Sequence, residues 1–170
     1  IAENAHAVRS SDGSLLYYEG TVEDITERHR YQKILQHQAT HDPLTALPNR
    51  NLLNDRLEQA VRRARRQGNK VALAFVDLDN FKVINDSLGH AAGDLLLIEI
   101  SHRLTSAVRD VDTVVRYGGD EFVLIMGDQT IIDDTTQLLE RVQAAVREPI
   151  SLAGHAVRSD CSIGVSLFPD

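Results

Sequence analysis

The alternation of apolar and polar residues divides the chain into strand-like and helix-like segments. Residues 70–79, KVALAFVDLD, form a nearly unbroken apolar run, which is typical of a strand covered on both faces. Apolar residues recur at helical spacing over residues 95–108, and further helices are predicted at about 50–67 and 133–147. Residues 80–94, NFKVINDSLGHAAGD, predict a short helical turn followed by a glycine-marked loop.

The segment RYGGDEF, residues 116–122, lies between two more apolar runs at about 112–117 and 121–127. Two adjacent glycines between strand-like runs predict a hairpin with the glycines at its tip. Strands are also predicted at about 150–153 and 156–168. The order helix, strand, helix, hairpin, helix, strand predicts the α/β class, as an α+β sandwich in which helices pack on a mixed sheet with a central hairpin.

The first forty residues have a different character. Residues 5–24 predict a two-stranded hairpin that turns at Asp12-Gly13, and a hairpin of this size cannot bury a core alone. Thr26 is the predicted N-cap of a helix that ends near residue 40. The apolar stripe of this helix, which includes Ile34 and Leu35, is weak, so a connecting or pairing helix is favoured over a core helix.

A loop with two prolines, HDPLTALPNR at residues 41–50, precedes the next helix. Asn49 or Asn51 is the predicted N-cap of this helix, and Gly68-Asn69 is its predicted end. Its polar face carries four arginines, which are Arg62, Arg63, Arg65 and Arg66.

Composition and charge limit the function. Hydrophobic residues make up 42% and charged residues 25% of the 170 residues, as in ordinary soluble domains. The net charge of −7 argues against a nucleic-acid binder, and an acidic protein that binds a nucleotide usually needs a metal cation between carboxylates and phosphates. The single cysteine, Cys161, fits a reducing compartment. The domain is therefore expected in the cytoplasm, and a membrane anchor elsewhere in the parent protein is left open.

Four acidic residues are expected to converge at one end of the sheet. Asp77 and Asp79 are two residues apart at the end of a predicted strand, so their carboxylates point to the same side. If the hairpin neighbours this strand, Asp120 and Glu121 come near Asp77, and such carboxylates repel one another unless a cation lies between them. Mg²⁺, or Mn²⁺, has the required preference for oxygen ligands. The alternatives are a strand-end cap for the aspartates and a hairpin turn with two solvated acids.

The segment after the strand provides groups suited to a purine nucleotide. The backbone N–H groups of residues 80–82 are predicted to hold phosphates at the start of the short helix, and Lys82 adds a positive charge. Asp94 can accept hydrogen bonds from the N1–H and N2 amino edge of guanine, which adenine lacks, and Asn85 can bond the same ring. The alternatives are a helix-end residue for Asn85 and the N-cap of the 95–108 helix for Asp94.

Four motifs together resemble the GGDEF domain, the diguanylate cyclase family. They are HDPLTALPNR (41–50), FVDLDNFKVINDSLGHAAGD (75–94), RYGGDEF (116–122) and SIGVSLFPD (162–170). The resemblance covers residues 41–170 and implies a fold related to nucleotidyl cyclases and polymerase palms. It also implies that two GTP molecules condense to cyclic di-GMP, a bacterial second messenger, with release of pyrophosphate.

The resemblance assigns roles by motif position. Asp77, Glu121 and the Leu78 carbonyl would ligate the metals, and Asp120 completes the acidic signature. Substrate contacts are implied for Phe81 and Lys82 at the phosphates, Asn85 and Asp94 at guanine, and Gly118 and Gly119 against the nucleotide. A metal-bound 3′-hydroxyl would attack an α-phosphate while a second metal stabilises the leaving pyrophosphate. Because each monomer holds one GTP and the product is two-fold symmetric, two copies of the chain must face each other.

Arg109 and Asp112 form an RxxD pattern, with five residues between it and Gly118. In the family this pattern is the inhibitory site for the product, and arginine can form a fork of hydrogen bonds to guanine O6 and N7. The alternative is an arginine at a helix end with an acid nearby.

The first part of the chain resembles other signalling segments. DGSLLYYEGTVEDITER (12–28) resembles the last strands of a PAS sensor domain, and the helix after it resembles the signalling helix that joins sensors to GGDEF domains. The implied domains are the C-terminal hairpin of a PAS-like domain at 1–25, a linker helix at 26–40 and a C-terminally truncated GGDEF domain at 41–170. The sensor would then set how two cyclase domains meet.

The family pattern continues beyond SIGVSLFPD with a helix whose lysine and arginine contact phosphates. The chain ends at Asp170, so the fragment is expected to bind GTP poorly or to lack turnover. Two functions are left open by the resemblance. One is a cyclase domain regulated by sensor and product, and the other is a non-catalytic module that binds GTP or cyclic di-GMP and controls an attached EAL phosphodiesterase domain.

Overall fold

The computed structural model describes residues 1–129, 132–152 and 154–169. Two compact units form, Ile1–Ala39 and Thr40–Asp170. Among the described residues, no helix combines the length and the apolar character that crossing a membrane requires. The elements in chain order are β1 (Ala2–Arg9), β2 (Leu15–Glu23), α1 (Thr26–Thr40), α2 (Arg50–Gln67), β3 (Lys70–Asp79), α3 (Phe81–Leu88), α4 (His90–Ala107), β4 (Thr113–Gly118), β5 (Glu121–Gln129), α5 (Ile132–Arg147), β6 (Ile150–Leu152), β7 (His155–Val157) and β8 (Asp160–Phe168).

The first unit contains the predicted hairpin and helix. Strands β1 and β2 pair antiparallel, and Gly13 has a φ of 87° in the turn between them. Helix α1 begins at Thr26, whose N–H donates to Asp24 Oδ1 at 2.9 Å. The prediction that Thr26 is the N-cap is therefore wrong. Thr26 is already the first residue of the helix, and the carboxylate that accepts its N–H belongs to Asp24.

The second unit is built on a four-stranded sheet with the order β4-β5-β3-β8. The predicted α/β sandwich is confirmed, but each neighbouring strand pair in this sheet is antiparallel rather than mixed. The crossover through α3 and α4 makes β3 and β4 run in the same direction, and the hairpin strand β5 lies between them in the opposite direction. The hairpin consequently lies at one end of the strand order rather than at its centre.

Helices cover both faces of this sheet, but not to the same extent. One face of β3 packs against α4 and α5, through Ala72, Ala74, Val76 and Leu78. The other face is covered by the 18-residue α2 only near the start of β3, where Val71 is buried. Phe75 is 43% exposed on that face, so the prediction that β3 is covered on both faces fails for its second half. The end of β3 is thereby left open to solvent.

The helices after β3 differ from their predicted boundaries. Helix α3 ends at Leu88 and α4 begins at His90, with Gly89 as its N-cap residue. Asp94 therefore lies in the second turn of α4, and its alternative role as an N-cap is wrong. The predicted glycine-marked loop is reduced to Gly89, whose φ is 84°, because Gly93 is buried within the helix and not in a turn.

The end of the chain contains one more hairpin than predicted. The predicted strand at 156–168 is two strands, because β7 turns back to pair with β6 before β8 joins the main sheet. Gly154, with a φ of 84°, allows this turn. The last residue of the predicted strand at 150–153 and the last residue of the SIGVSLFPD motif lie outside the described residues.

The proline-containing loop before α2 is held to the RYGGDEF hairpin. Arg116 Nη1 donates to Asp42 Oδ1 at 2.8 Å, and its Nε and Nη2 donate to the Gly119 carbonyl at 3.2 and 2.9 Å. The Arg116 N–H also donates to the Pro48 carbonyl at 2.9 Å. This arginine therefore joins the loop to the hairpin turn, and the turn is not a freely moving tip.

The same loop sets the start of α2. Asn49 Oδ1 accepts from the N–H groups of Asn51 and Leu52 at 2.9 and 3.3 Å, which confirms Asn49 as the N-cap. Asp42 accepts from the Thr45 N–H and hydroxyl, both at 2.8 Å. Burial opposes the charge on Asp42, but hydrogen bonds from Arg116 and Thr45 outweigh it, so the pKa of Asp42 lies below its ordinary value.

Replacing Arg116 by alanine is expected to lower the free energy of unfolding by about 1–3 kcal/mol, because the half-buried Asp42 carboxylate loses a charged donor. Arg62→Ala is the matched control, since Arg62 is 72% exposed in its ion pair and such pairs contribute little. Urea denaturation of both variants measures the difference. Equal losses from the two substitutions would contradict a specific role for Arg116.

Candidate active site

The pairing of β3 with β5 brings two of the predicted acids together. Asp77 and Glu121 are direct Cα partners in the antiparallel register. Directly opposed residues project from the same face with their Cβ atoms about 5 Å apart. Both residues are exposed, on the open half of the sheet face that α2 leaves uncovered. The geometry that a shared cation requires of these two carboxylates is therefore present.

The hairpin turn follows directly from this pairing. Gly118 is the partner of Glu121, so Gly119 and Asp120 form the tip, one residue later than the predicted pair of glycines. Gly119 has a φ of 53°, a conformation that residues with side chains rarely adopt. The Asp120 carbonyl accepts from the N–H of the buried Leu78 at 3.3 Å. The turn is thus bonded to the end of β3.

Electrostatics at the acids favour a bound cation. Partial desolvation, followed by the negative charges of Asp120 and Asp79, raises the pKa of Asp77 above its ordinary value. Among the described residues, no three His, Cys, Asp or Glu side chains are grouped as a metal site by themselves. Mg²⁺ commonly takes only one or two protein carboxylates and completes its ligands with phosphates, so the residues present fit such an ion.

Asp79 belongs to a different set of contacts. Ser162 Oγ of β8 donates to Asp79 Oδ1 at 2.9 Å. The Cα partner of Asp79 is Asp160, whose carboxylate accepts from Arg147 Nε at 2.9 and 3.0 Å. Helix α3 has Asn80 as its N-cap residue, without a side-chain hydrogen bond. Asp79 therefore joins β3 to β8, and the predicted alternative of a helix cap is not observed.

The segment predicted to hold phosphates lies immediately beyond the acids. Asn80 adopts a left-handed conformation, with φ 61° and ψ 18°, and turns the chain from β3 into α3. The first N–H groups of a helix have no partner within the helix, and the Asn80 side chain makes no capping hydrogen bond to them. Phe81 is half-buried against the core, while Lys82 is exposed. An anion at this helix start would meet uncapped N–H groups.

The two predicted base-reading residues lie where α3 contacts α4. Asn85 Oδ1 is a buried oxygen atom that has no hydrogen-bond partner among the described residues. It faces Gly93, where an added Cβ would lie 1.9 Å from this oxygen. Asp94 is the next residue of α4 and is exposed. The structure therefore places Asn85 and Asp94 at one helix contact, although they are nine residues apart in the chain.

The RxxD residues form an ordered pair at the start of β4. The Asp112 side chain is fully buried, accepts from the Gly127 N–H at 3.2 Å, and accepts from Arg109 Nε at 3.2 Å. Arg109 Nη2 also donates to the Gly127 carbonyl at 3.2 Å, while its side chain remains 46% exposed. A cavity of about 330 Å³ borders both residues. Asp112 thus orients Arg109, and only Arg109 is available to a ligand.

Some residues at the site had no predicted role. Phe75 packs edge-on against Tyr117, with ring centroids 5.5 Å apart, and the Arg50 guanidinium lies 4.8 Å from the Tyr117 ring centroid. Side chains two residues apart on a strand lie on the same face, so Phe75 shares a face with Asp77. The location of Phe75 beside the acids could therefore have been predicted from the sequence. The hydrogen bond between Asp42 and Arg116 could not have been predicted in this way, because 74 residues separate the two.

Comparison with known proteins identifies the family. The family model described as "Diguanylate cyclase, GGDEF domain" matches residues 39–170. The chain is 48% identical over 131 residues to the bifunctional diguanylate cyclase/cyclic di-GMP phosphodiesterase MucR of Pseudomonas aeruginosa, a match that covers 77% of this chain and 19% of MucR. It is 41% identical over 137 residues to the diguanylate cyclase TpbB of the same species, covering 80% of this chain and 32% of TpbB.

Solved structures agree with these matches. A truncated TpbB that comprises only the GGDEF domain superposes with a TM-score of 0.74 and 40% identity, over 76% of both chains. The GGDEF domain of DgcB from Caulobacter crescentus, solved in complex with c-di-GMP, superposes with a TM-score of 0.70 and 28% identity, over 76% of this chain and 77% of that one. The chain spans a third or less of the length of MucR and of TpbB. Through residues 39–170 the chain belongs to the GGDEF diguanylate cyclase family.

Proposed function

We propose that the second unit is the catalytic domain of a diguanylate cyclase that condenses two GTP molecules to cyclic di-GMP. The observation that carries this proposal is the direct pairing of Asp77 with Glu121 at the open end of the sheet. Two opposed carboxylates can hold a divalent cation against the phosphates of a nucleotide, as metal-assisted phosphoryl transfer requires. The strand pairing keeps the Asp77 and Glu121 carboxylates close despite their mutual repulsion. They lie next to the start of α3, where the Asn80 side chain makes no capping hydrogen bond.

The acids hold the catalytic metals in this proposal. Asp77, Glu121 and the Leu78 carbonyl are the protein ligands for Mg²⁺, or Mn²⁺, and Asp120 adds negative charge from the turn. When bound, the metal lowers the pKa of a 3′-hydroxyl and stabilises charge on the leaving pyrophosphate. The rigid β3–β5 register keeps the two carboxylates at a fixed separation, so little reorganisation is required when substrate arrives.

The nucleotide lies beyond the acids along β3 and α3. The N–H groups at Phe81 and Lys82 bind its phosphates, because they are uncapped and lie at the positive end of a helix. Gly118 and Gly119 let it approach the hairpin backbone closely. The exposed Asp94 carboxylate accepts from the N1–H and N2 amino groups of guanine, and Asn85 bonds the same base.

Two copies of the chain face each other during turnover, because the product is two-fold symmetric and each copy holds one GTP. Helix α1 supports pairing of copies, since Tyr31, Ile34 and Leu35 lie at helical spacing and are exposed by 45% or more. In the hairpin of the first unit, Tyr18 and Val22 are 70% and 66% exposed on one face. Exposed apolar residues of this kind indicate that the hairpin is part of a larger sheet. We propose that this sheet belongs to a PAS sensor domain that regulates the cyclase.

Product inhibition is proposed at the cavity beside Arg109. The guanidinium is already oriented by the buried Asp112, so little conformational entropy is lost when it forks onto guanine O6 and N7. The complex of the DgcB domain with c-di-GMP supports the ligand class. The parent protein is expected to be limited by its own product through this site.

The alternative function is a non-catalytic module that binds GTP or cyclic di-GMP and controls an attached EAL phosphodiesterase domain. The bifunctional name of MucR supports the attached phosphodiesterase domain, because in that protein a cyclase and a phosphodiesterase activity share one chain, but it does not support the loss of cyclase activity. Binding of GTP without turnover in the parent protein would decide for this alternative.

The decisive experiment is Glu121→Gln in the parent protein, incubated with Mg²⁺ and GTP. We expect cyclic di-GMP formation, measured by chromatography, to fall by at least about 100-fold, as when a group that stabilises transition-state charge is removed. The substitution removes a charge with almost no change in shape. Glu58→Gln, on the exposed face of α2, is the control and should retain activity. Undiminished turnover in Glu121→Gln would reject the assignment of catalysis to these carboxylates, and absence of turnover in the unsubstituted parent protein would reject the cyclase proposal.

Asp77→Asn should stabilise the protein when divalent metal is removed with EDTA. Because the folded-state pKa of Asp77 is raised, the charged carboxylate destabilises the fold, and this cost grows as pH rises from 3.8 through the raised value. The variant is therefore expected to unfold at higher temperature than the wild type at neutral pH, with no difference below pH 3.8. Adding Mg²⁺ and GTP should reverse the order. The exposed Asp110→Asn control should show neither effect, and a destabilised Asp77→Asn protein at neutral pH would contradict the charge repulsion.

Arg109→Lys should weaken binding of cyclic di-GMP by about 10- to 100-fold, since lysine keeps the charge but loses the guanidinium fork. Isothermal titration calorimetry measures this affinity directly. Arg62→Ala, which removes an exposed arginine of α2, is the control. Unchanged affinity in Arg109→Lys would remove Arg109 from the product site.

A further inference from the structure

We propose that Gly93 controls base specificity by holding the Asn85 carboxamide in one orientation, with its oxygen inward and its nitrogen toward the bound base. This inference rests on the proposed function, because it assigns the base to the contact between α3 and α4. It adds Gly93 as a residue that positions Asn85, and it states which partner donates the hydrogen bond between Asn85 and the base. Asn85 would act as a donor, and Gly93 would keep it so.

The first observation is a steric one. A Cβ at position 93 would lie 1.9 Å from Asn85 Oδ1, 2.9 Å from its Cγ and 3.3 Å from its Nδ2. The oxygen and Cγ are thus closer than a Cβ at position 93 permits and the nitrogen would be in tight contact, so the Asn85 side chain occupies the space that the missing Cβ leaves. Position 93 lies in the second turn of α4, where alanine is favoured over glycine by helix propensity. The backbone therefore gives no reason for a glycine, whereas the contact with Asn85 does.

The second observation concerns the two polar atoms of the carboxamide. Its oxygen is buried and has no hydrogen-bond partner among the described residues. Its nitrogen is not enclosed in this way, and it makes no hydrogen bond to the described part of the chain. The carboxamide nitrogen carries two N–H donors, so Asn85 in this orientation presents donors alone to a ligand.

This orientation makes Asn85 and Asp94 complementary. An ionised carboxylate only accepts hydrogen bonds, so the exposed Asp94 recognises the N1–H and N2 amino donors of guanine. The Asn85 nitrogen, as a donor, recognises the guanine O6 acceptor, and adenine carries an amino donor at the corresponding position. If Asn85 were turned around, its oxygen would repel O6 and admit adenine. Gly93 provides the slot that the oxygen occupies, and a Cβ at this position would close it.

The test uses three nucleotides that separate the two edges of the base. GTP has both O6 and the N2 amino group, inosine triphosphate has O6 alone, and 2-aminopurine riboside triphosphate has the N2 amino group alone. Gly93→Ala should weaken binding of GTP and of inosine triphosphate by about three- to tenfold, the worth of one hydrogen bond, and should leave 2-aminopurine riboside triphosphate unchanged. Affinities are measured by calorimetry in the parent protein with Mg²⁺ and the α,β-methylene analogues of the three nucleotides, which cannot release pyrophosphate.

A double substitution separates positioning from a general loss of structure. Asn85→Ala removes the side chain that a new Cβ would displace, so it should produce the same selective loss as Gly93→Ala. Adding Gly93→Ala to Asn85→Ala should cause no further loss of affinity, and the double variant should be at least as stable as Asn85→Ala. A further loss in the double variant, or equal weakening of all three nucleotides by Gly93→Ala or Asn85→Ala, would overturn the inference. The Asn85→Ala arm keeps this test valid if Gly93→Ala alone does not fold.

The experiment also distinguishes this inference from the proposed cyclase activity. Binding is measured without turnover, so base-selective losses in a protein that makes no cyclic di-GMP would support the inference and reject the cyclase. Turnover of GTP by a Gly93→Ala protein with unchanged affinity for GTP and inosine triphosphate would reject the inference alone.

Discussion

The site depends on the register between β3 and β5. In this register Asp77 opposes Glu121, Val76 opposes Phe122, and Ala74 opposes Leu124. Strand side chains alternate with a period of two, so a slip of one residue would turn Asp77 toward the core and an apolar residue toward solvent. Val76, Phe122 and Leu124 are almost completely buried, and their burial makes such a slip costly. The apolar core therefore places the two carboxylates opposite each other, although it touches neither.

The rest of the fold leaves this pair accessible. Helix α2 buries Val71 at the start of β3 but does not cover Phe75, so the face stays open where the acids lie. Arg116 bonds the Gly119 carbonyl on one side and Asp42 on the other. The hairpin turn is thereby fixed from outside the sheet. An open face with a fixed turn combines access for a nucleotide with little motion of the groups that would bind it.

How far the sequence could predict this arrangement depended on whether the determining contacts were local. The strand at 70–79, the hairpin at RYGGDEF and the Asn49 cap were all predicted, because each depends on residues close together in the chain. The meeting of Asp77 with Glu121 was predicted because a hairpin next to a buried strand leaves few registers. Gly93 shows the limit, since a glycine between polar residues usually indicates a turn. Its reason is contact with another helix, which no local pattern contains.

The remaining differences have the same origin. The bond between Asp42 and Arg116 joins residues 74 positions apart, and the fully buried Asp112 side chain accepts a hydrogen bond from Gly127, 15 residues away in the chain. The sequence indicated that Asp112 is part of the RxxD pattern. It could not show that the Asp112 carboxylate binds Arg109 instead of facing a ligand. Motif resemblance therefore named the candidate residues, while the contacts between them became visible only in the packed structure.

Metal-binding and base-binding ends of the proposed site are connected through one core. Leu78, which adjoins Asp77, and Ile84, which adjoins Asn85, belong to the same buried cluster. Leu97 of α4, one turn beyond Gly93, packs in that cluster as well. Because a close-packed interior transmits small shifts, a change in the spacing of α3 and α4 alters both the end of β3 and the slot for Asn85. The distance between acids and base is consequently a property of the core, and a nucleotide that satisfies both ends must match it.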